Sequence, residues 1–366
     1  MSIILWQKYI KSTNFYVLLH PNFNVRLIKQ KKMNTITQRT IAIVCGGDSS
    51  EYEVSLRSAQ GLFDAFDHDR YNVYIVMIRK NDWHVNLSDG KQPVIDKNDF
   101  SFEKDGERIR FDYAYITIHG TPGENGVLQG YFDLINLPYS TCNVLVEALT
   151  FHKFALNNYL KAFGCSVADS IQVRRGVAHG WTAEKVKDYL GMPCFVKPTA
   201  DGSSFGVTKV KSCDQLDDAM EFAFKQCDNV MIERFLDGTE VTVGCYKTKE
   251  KSVVFPVTEV VTDNEFFDYD AKYNGQVDEI TPARISDELT AALQAETSRI
   301  YDILHCNGII RIDYIITKNP DGSDHINLLE INTTPGMTAT SFIPQQVRAA
   351  GLSLTDVLTD IVENQF

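Results

Sequence analysis

Apolar runs alternate with helix-period patterns along the chain from residue 40 onward. Ile41–Cys45 is a continuous apolar run. Apolar residues then recur at helical spacing over 54–66, and Ser50, with a glutamate three residues later, is the predicted N-cap of this helix. Further apolar runs at 71–78 and 113–118 predict two more strands. Strands that alternate with helices indicate an open parallel sheet, in which ligands bind beyond the carboxyl ends of the strands.

The rest of the chain mixes helices and strands less regularly. The pattern predicts a helix over 153–163, strands over 193–197, 207–210 and 230–235, and a last helix from about Leu354. The predicted fold class is therefore α/β and α+β. The predicted divisions are an atypical extension at 1–36, an α/β domain at 37–150, a central subdomain at 151–235 and a C-terminal subdomain at 236–366.

The first 32 residues differ from the rest in charge. They contain six basic residues and no acidic residue, whereas the whole chain has a formal net charge of −12. Polar residues interrupt the apolar ones, so the segment does not match a secretory signal. We expect either that translation begins at Met33, where a short polar lead precedes the first predicted strand, or that the extension is disordered.

Composition narrows the class of protein. Of the 366 residues, 44% are hydrophobic and 23% are charged, as in ordinary globular proteins. The acidic balance argues against a nucleic-acid or membrane-surface partner, and no run approaches the roughly 18 apolar residues of a membrane helix. The eight cysteines form no CxxC pair, which is typical of free thiols in a reducing cytosol. We expect a cytoplasmic protein that binds small molecules.

The segment 309–332 predicts a hairpin that carries carboxylates. With its turn centred on Asp321–Gly322, the predicted cross-strand pairs are Asp313 with Glu330, Arg311 with Asn332, Ile312 with Ile331 and Tyr314 with Leu329. Opposed carboxylates repel each other unless a cation lies between them. Because the ligands offered are all oxygens, they favour magnesium, and Arg311 is placed to stabilise anionic charge in a transition state. A solvated face of mixed charge is the alternative.

A glycine- and serine-rich turn, DGSSFG at 201–206, separates two predicted strands. The N–H groups and hydroxyls of such a turn bind phosphate oxygens, and Lys197 adds a cation. The turn is not a Walker loop, because it lacks the GK[ST] sequence. Alone, this turn is more typical of a plain hairpin. The phosphate-binding interpretation is favoured only because a magnesium site requires a polyphosphate.

Two other segments leave a functional and a structural interpretation open. Glu233 and Glu240 flank a strand break at Asp237–Gly238, where free backbone groups can hydrogen-bond a purine. An amphipathic strand with surface acids explains the same pattern. The aromatic and charged segment 266–273 is typical either of an ordered loop over a site or of a hydrophobic cluster beneath a loop.

Two polar residues lie where an open sheet presents its ligands. Glu51 is at a predicted helix start, and His119 follows a predicted strand. Both are candidates for substrate binding. A lone histidine is more often structural, so that interpretation also stays open.

Six segments are similar, in order, to motifs of the D-alanine–D-alanine ligase family of the ATP-grasp superfamily. They are GGDSSEYEVSL at 46–56, HGTPGENGVLQG at 119–130, FVKPTADGSSFGVTKV at 195–210, IERFLDGTEVTV at 232–243, YDAKY at 269–273, and RIDY at 311–314 with LLEINTTPGMT at 328–338. The resemblance extends from about Thr40 to Leu358. It implies an ATP-grasp fold with an N-terminal open parallel α/β domain, and a cytoplasmic homodimer that serves peptidoglycan synthesis.

The resemblance also implies a reaction and its ligands. In the family, ATP phosphorylates the carboxylate of one D-alanine, and the amine of a second attacks the acyl phosphate. The implied ligands of two Mg²⁺ or Mn²⁺ ions are Asp313, Glu330 and Asn332. The implied ATP-binding residues are Lys153, Lys197, Ser204, Glu233, Phe235, Leu236, Glu240, Phe266 and Lys272.

The implied substrate-binding residues divide between the two amino acids. Glu51 would hold the ammonium of the first D-alanine, and His119 would lie near its carboxylate. Arg311 and the backbone of Gly336 would form the oxyanion site. Ser341 and Phe342 would bind the second D-alanine, while Ser203, Tyr273 and Glu51 would form a hydrogen-bonded link that closes the loop.

The sequence departs from the family pattern at two positions. Asn125 replaces an aspartate of HGxxGEDG, and Phe267 stands where a tyrosine is common. Tyr273 favours the dipeptide product, because relatives that make D-alanyl-D-lactate tend to carry histidine in this loop. The alternatives are a ligase that uses D-lactate or D-serine as second substrate, and a nucleotide-binding module that has lost catalysis.

Overall fold

The computed structural model describes residues 38–200, 205–262 and 277–366, together with three short strands in the first 37 residues. The chain forms two compact units, Met1–Gln38 and Arg39–Phe366. In the first unit, strands β1 (Lys11–Ser12), β2 (Phe15–Leu18) and β3 (Arg26–Ile28) pair antiparallel in that order. The features described below all belong to the second unit.

The second unit begins with an α/β layer. Its strands are β4 (Arg39–Gly46), β5 (Tyr71–Arg79), β6 (Asp82–Asn86), a separate hairpin of β7 (Ser101–Lys104) and β8 (Glu107–Arg110), and β9 (Tyr113–Ile116); its helices are α1 (Tyr52–Ala65), α2 (Val127–Leu134) and α3 (Val144–Phe151). The sheet order is β6-β5-β4-β9, in which β5, β4 and β9 are parallel and β6 is an antiparallel edge. The predicted open parallel sheet is therefore confirmed.

The start of α1 differs from the prediction. Its N-cap is Glu51, which makes no side-chain capping bond, so the predicted cap at Ser50 is wrong. The hydroxyl of Ser49 accepts the N–H of Glu51 at 3.2 Å and donates to the carbonyl of His119 at 2.7 Å. The residues before α1 are therefore hydrogen-bonded to the segment that follows β9, and the N-cap side chain does not cap the first turn of the helix.

The next layer is an antiparallel sheet covered by helices. Its elements are α4 (Lys153–Lys161), β10 (Ser170–Arg174), α5 (Ala183–Leu190), β11 (Cys194–Pro198), β12 (Thr208–Val210), α6 (Leu216–Phe224) and β13 (Asn229–Arg234). The strand order is β10-β13-β11-β12. Apolar residues of all four strands form one core with α5 and α6.

The last layer is a larger antiparallel sheet. Its elements are β14 (Thr239–Lys247), β15 (Ser252–Val254), β16 (Thr258–Thr262), β17 (Val277–Ile280), α7 (Asp287–Leu304), β18 (Ile309–Lys318), β19 (Asp324–Asn332), α8 (Phe342–Ala349) and α9 (Leu354–Glu363). The strand order is β17-β16-β14-β18-β19, and β15 also pairs with β14. The sheet packs on α7 through one core, which includes Ile312 and Ile331.

The hairpin of β18 and β19 has the predicted register only at the end away from its turn. Asp313 lies opposite Glu330, and Arg311 lies opposite Asn332, as predicted. A bulge follows, so that Tyr314 pairs with Leu328 and not with the predicted Leu329. Leu329 is the extra residue in β19. It shifts the pairing by one residue, so Glu330 lies opposite Asp313 although the pairs nearer the turn follow a different register.

The C-terminal helix α9 packs on the first layer of the unit. Its apolar residues share a core with β4, β5 and α1, and Glu363 near its end bonds to Arg39 and Tyr71. None of the helices in the described ranges is both long and apolar enough to cross a membrane. The predicted domain boundaries stay a prediction.

Candidate active site

A cavity of about 880 Å³ lies where the central and C-terminal sheets meet the loops of the first layer. Every predicted site residue that the structure describes lines it: Glu51, His119, Lys153, Lys197, Glu233, Phe235, Leu236, Glu240, Arg311, Asp313, Glu330, Asn332, Gly336, Ser341 and Phe342. Residues far apart in sequence therefore share one cleft. The predicted residues Ser203, Ser204, Phe266, Phe267, Lys272 and Tyr273 lie outside the described residues.

One ion pair in the cleft joins Arg311 to Asp313. The guanidinium Nε and a terminal nitrogen donate to the two carboxylate oxygens at 2.8 and 2.7 Å. Both side chains are largely buried. Burial alone would lower the pKa of Arg311, but the Asp313 carboxylate outweighs it and holds this pKa above its ordinary value. Arg311 is therefore a fixed cation in the cleft.

Other groups complete the hydrogen bonding of Asp313. The hydroxyl of Thr242 donates to one of its oxygens at 2.5 Å, and the amide of Asn332 donates to the other at 3.2 Å. Glu330 faces it across the ladder and forms an ion pair with Lys153 at 3.4 Å. Two carboxylates thus lie side by side, each balanced by a cation.

The donor set here is suited to a hard divalent cation. Within the described ranges, no three His, Cys, Asp or Glu side chains converge to hold a metal ion. A metal on this hairpin would therefore use the two carboxylates, the amide oxygen of Asn332 and oxygens of a bound phosphate. Oxygen ligands with few protein carboxylates are what Mg²⁺ takes at nucleotide sites. The residues present fit that ion.

Lys197 and Glu233 form a second buried ion pair at the other side of the cleft. The Lys197 ammonium lies 2.5 Å from one Glu233 oxygen, and the Asn157 amide donates to the other oxygen at 3.2 Å. Lys197 lies on β11 and Glu233 on the adjacent strand β13. The sheet thus fixes a cation near the end of β11.

The break between β13 and β14 gives the cleft an apolar edge. The two strands belong to different sheets, so residues 235–238 connect the layers. The ring of Phe235 packs against Phe195 at 5.9 Å, and the Lys209 ammonium lies 3.9 Å from its centroid. An aromatic wall with backbone groups that leave the ladder is a surface on which a heterocyclic base can lie.

Glycines make the turn that brings Glu51 to the cleft. Gly46 and Gly47 both have positive φ, and a Cβ on Gly47 would come within 2.5 Å of Ile118. Only glycine fits a left-handed conformation this close to a neighbouring strand. The GG pair therefore serves the turn that carries Glu51.

His119 is a buried imidazole. Burial and the charge of Arg311 lower its pKa, and the charge of Glu51 only partly opposes them. Its Nε2 is buried and has no hydrogen-bond partner within the described residues. A buried nitrogen without a partner is costly, and a polar group of a bound molecule can supply the missing hydrogen bond.

Glu124 is a cleft residue that the sequence interpretation missed. It lies within the HGTPGENG segment, accepts the N–H of Gly120 at 2.7 Å and is half-buried. Burial, with the charges of Glu51 and Glu330, raises its pKa to about 8. Its position in the motif was visible, but its burial beside other carboxylates could be known only from the fold.

Ser341 and Phe342 form the opposite end of the cleft, at the start of α8. The Ser341 hydroxyl accepts the N–H of Thr338 at 3.1 Å, and the Phe342 ring lies 5.2 Å from the guanidinium carbon of Arg311. A Cβ on Gly336 would come within 2.9 Å of the Ser341 hydroxyl. A side chain at position 336 would therefore crowd Ser341.

The cleft therefore contains the parts needed for phosphoryl and acyl transfer. Cations lie at Lys153, Lys197 and Arg311, while carboxylates for a divalent ion lie on the hairpin. Such a site can hold a polyphosphate and two small charged molecules and can stabilise the negative charge that develops between them.

Comparisons with known proteins cover almost the whole second unit. Residues 40–142 match the family described as D-ala D-ala ligase N-terminus, and residues 159–363 match the one described as D-ala D-ala ligase C-terminus. A D-alanine–D-alanine ligase of Bacteroides fragilis is 62% identical over 329 residues, which are 90% of this chain and 100% of that protein.

Solved structures of similar shape are ligases too. The VanG D-Ala:D-Ser ligase from Enterococcus faecalis has a TM-score of 0.78 and 29% identity, and the match covers 90% of this chain and 100% of that one. The D-alanyl-alanine synthetase A of Vibrio cholerae has a TM-score of 0.78 and 27% identity, with 90% and 98% covered. The likeness extends over the whole set of layers that build the cleft.

Proposed function

The chain belongs to the D-alanine–D-alanine ligase family, and from this premise we propose how its residues join two D-alanines. The enzyme is an ATP-dependent ligase that forms D-alanyl-D-alanine through D-alanyl phosphate, for peptidoglycan synthesis. Its fold is the predicted ATP-grasp fold. The observation that carries the residue assignments is the pair of opposed carboxylates, Asp313 and Glu330, beside Arg311 in the cleft that also contains Lys197.

The nucleotide would lie between the central and C-terminal sheets. Lys153 and Lys197 would bind phosphate oxygens, and the backbone at Phe235 and Leu236 would hydrogen-bond the adenine. The Phe195–Phe235 wall and the buried Lys197–Glu233 pair support this side as the nucleotide end. Glu240, Ser204, Phe266 and Lys272 are assigned to ATP from the resemblance.

Asp313, Glu330 and Asn332 would hold two Mg²⁺ or Mn²⁺ ions. When bound, such ions neutralise charge on a polyphosphate and stabilise the phosphoryl group in transfer. The protein's part is to keep the ligands in place, and Thr242 and Arg311 do so by bonding Asp313. Lys153 balances Glu330 from the other side.

The chemistry proceeds in two transfers. A carboxylate oxygen of the first D-alanine attacks the γ-phosphorus, the bond from phosphorus to the ADP oxygen breaks, and an acyl phosphate forms. The second D-alanine, as its free amine, then attacks the acyl carbon, gives one of its two N–H protons to the leaving phosphate, and expels that phosphate, which keeps the oxygen that came from the carboxylate. Arg311 and the Gly336 backbone would stabilise the tetrahedral oxyanion.

The two amino acids would bind at opposite ends of the oxyanion site. Glu51 would pair with the ammonium of the first, and His119 would lie near its carboxylate. Ser341 and Phe342 would bind the second. The contact between Phe342 and Arg311 supports an acceptor position next to the reacting carbon. The roles of Ser203 and Tyr273 in loop closure rest on the resemblance alone.

D-lactate or D-serine as second substrate is not favoured. The relative that is 62% identical is a D-alanine–D-alanine ligase, whereas the VanG D-Ala:D-Ser ligase is only 29% identical. We further propose that the enzyme is a cytoplasmic homodimer, from the resemblance.

The direct test of this function is phosphate release by the purified protein with ATP and Mg²⁺. D-alanine alone should support release, and L-alanine should not. Omitting Mg²⁺ with a chelator should abolish it. Release that requires a mixture of D-alanine with D-lactate or D-serine would overturn the dipeptide assignment, and no release under any of these conditions would overturn the ligase activity.

A further inference from the structure

Glu279 lies in the cleft but has no place in the reaction described above. It belongs to β17, where it pairs with Val260 of β16, and it lines the same cavity as Arg311 and Ser341. No motif in the sequence marks it. The fold places this carboxylate near the end of the cleft that begins at α8.

A hydrogen-bonded link ties Glu279 to that end of the cleft. The side-chain amide of Gln345, in the first turns of α8, donates both to Glu279 and to the carbonyl of Thr340, the latter at 2.7 Å. Thr340 directly precedes Ser341 and Phe342. Glu279 is therefore held against the segment proposed to bind the second amino acid.

The charge on Glu279 is poorly balanced by the described residues. Its bonded partner is the neutral amide of Gln345, and Arg311, which is close enough to act on it, is committed to Asp313. Burial raises the pKa of Glu279, and the Gln345 bond and Arg311 oppose that rise without cancelling it. A half-buried carboxylate in such surroundings gains more from a cationic ligand than an exposed one does.

We propose that the Glu279 carboxylate binds the ammonium group of the second amino acid before that group loses a proton to become the attacking amine, and so selects an amine-bearing acceptor over a hydroxy acid. This inference rests on the proposed function, which supplies the two substrate ends. A hydroxy acid of the same shape offers a neutral hydroxyl in place of the ammonium, so it cannot form the ion pair. The residue acts on specificity and on acceptor binding.

The test is the isosteric change Glu279→Gln, which removes the charge and keeps an oxygen to accept the Gln345 amide. Rates measured over a range of D-alanine concentrations give separate Michaelis constants for the first and the second amino acid. We expect the constant for the second to rise about tenfold, and that for the first to change by less than about twofold. With D-lactate added, the variant should form a larger share of D-alanyl-D-lactate than the wild type.

Two further variants separate this role from a structural one. Asp278→Asn removes a neighbouring exposed carboxylate, and should change neither constant. Gln345→Met breaks the link to Thr340 but keeps the Glu279 charge, so selection against D-lactate should persist. The proposal is overturned if Glu279→Gln leaves the second constant and the product ratio unchanged, or if Gln345→Met reproduces its effect. Failure of the ligase function would instead appear in the wild type, as phosphate release that does not depend on D-alanine.

Discussion

At the scale of single residues, the cleft depends on carboxylates whose charge is set by their neighbours. Asp313 is hydrogen-bonded by Arg311 and Thr242, whereas burial beside other acids raises the pKa of Glu124 to about 8. Glu330 lies opposite Asp313 and next to Lys153. The same residue type therefore has different tasks according to which cation reaches it.

Glu330→Gln tests the metal assignment at this scale. The change keeps the size of the side chain and removes the charge of a proposed bridging ligand, so turnover should fall by about a hundredfold or more while folding is preserved. Phosphate release measures turnover, and thermal unfolding checks the fold. Asp324→Asn, an exposed position on the same strand, is the matched control and should keep wild-type rates. Wild-type turnover in Glu330→Gln would contradict the assignment.

Sequence reasoning identified site residues where they form motifs and missed those that do not. Asp313 and Glu330 were predicted because a hairpin period of two puts them on one face. Glu279 was not, because its task depends on Gln345 and Arg311, which reach it from other elements. Burial and charge environment are properties of the fold and cannot be read from a single segment.

At the scale of elements, the β18–β19 hairpin carries the proposed metal-binding face on one side and core on the other. Ile312 and Ile331 are paired and buried on the core side. The bulge at Leu329 shifts the pairing by one residue from the register that the pairs next to the turn follow. The predicted pairing was right at the site and wrong for Tyr314, because a turn motif does not reveal a bulge further along the strand.

Ile331→Ala tests this packing. Truncating a buried isoleucine leaves a cavity, so the free energy of unfolding should fall by about 2–5 kcal/mol. Chemical denaturation measures it. Lys318→Ala, on the exposed end of the same hairpin, should change stability by no more than about 0.5 kcal/mol. Equal effects of the two changes would mean that Ile331 does not face the core.

At the scale of the whole molecule, the last helix, α9, is bonded to the first sheet of the second unit. Glu363 of α9 accepts two bonds from Arg39 at 2.9 Å and one from the Tyr71 hydroxyl at 2.7 Å, and it pairs with Arg70 at 3.2 Å. These contacts join β4 and β5 to the C-terminus. Local periodicity predicted each element, but it carries no information about contacts between residues so distant in sequence.

Glu363→Gln tests this closure through its dependence on pH. Burial raises the pKa of Glu363, but the Tyr71 hydroxyl and the two arginines outweigh it and leave the pKa below its ordinary value of 4.5. The carboxylate therefore stabilises the fold above that pH, and the contribution is lost as the pH falls through the lowered pKa. The variant should lose about 1 kcal/mol at neutral pH, and the difference from the wild type should shrink below about pH 4.

Thermal unfolding at several pH values gives this comparison. An exposed glutamate of α6, changed in Glu221→Gln, provides the control and should show no such trend. A wild-type advantage that stays constant from pH 7 to well below pH 4 would mean that the Glu363 contacts do not depend on its charge.

We propose that the cleft activates one D-alanine as an acyl phosphate before the second attacks it. The most direct measurement uses D-alanine whose carboxylate carries the heavy isotope of oxygen, with unlabelled ATP and water, and mass analysis of the released phosphate. The reaction described above predicts that each phosphate carries one labelled oxygen, taken from the carboxylate of the first D-alanine. Unlabelled phosphate, released along with dipeptide, would show that the carboxylate is never phosphorylated and would contradict the account.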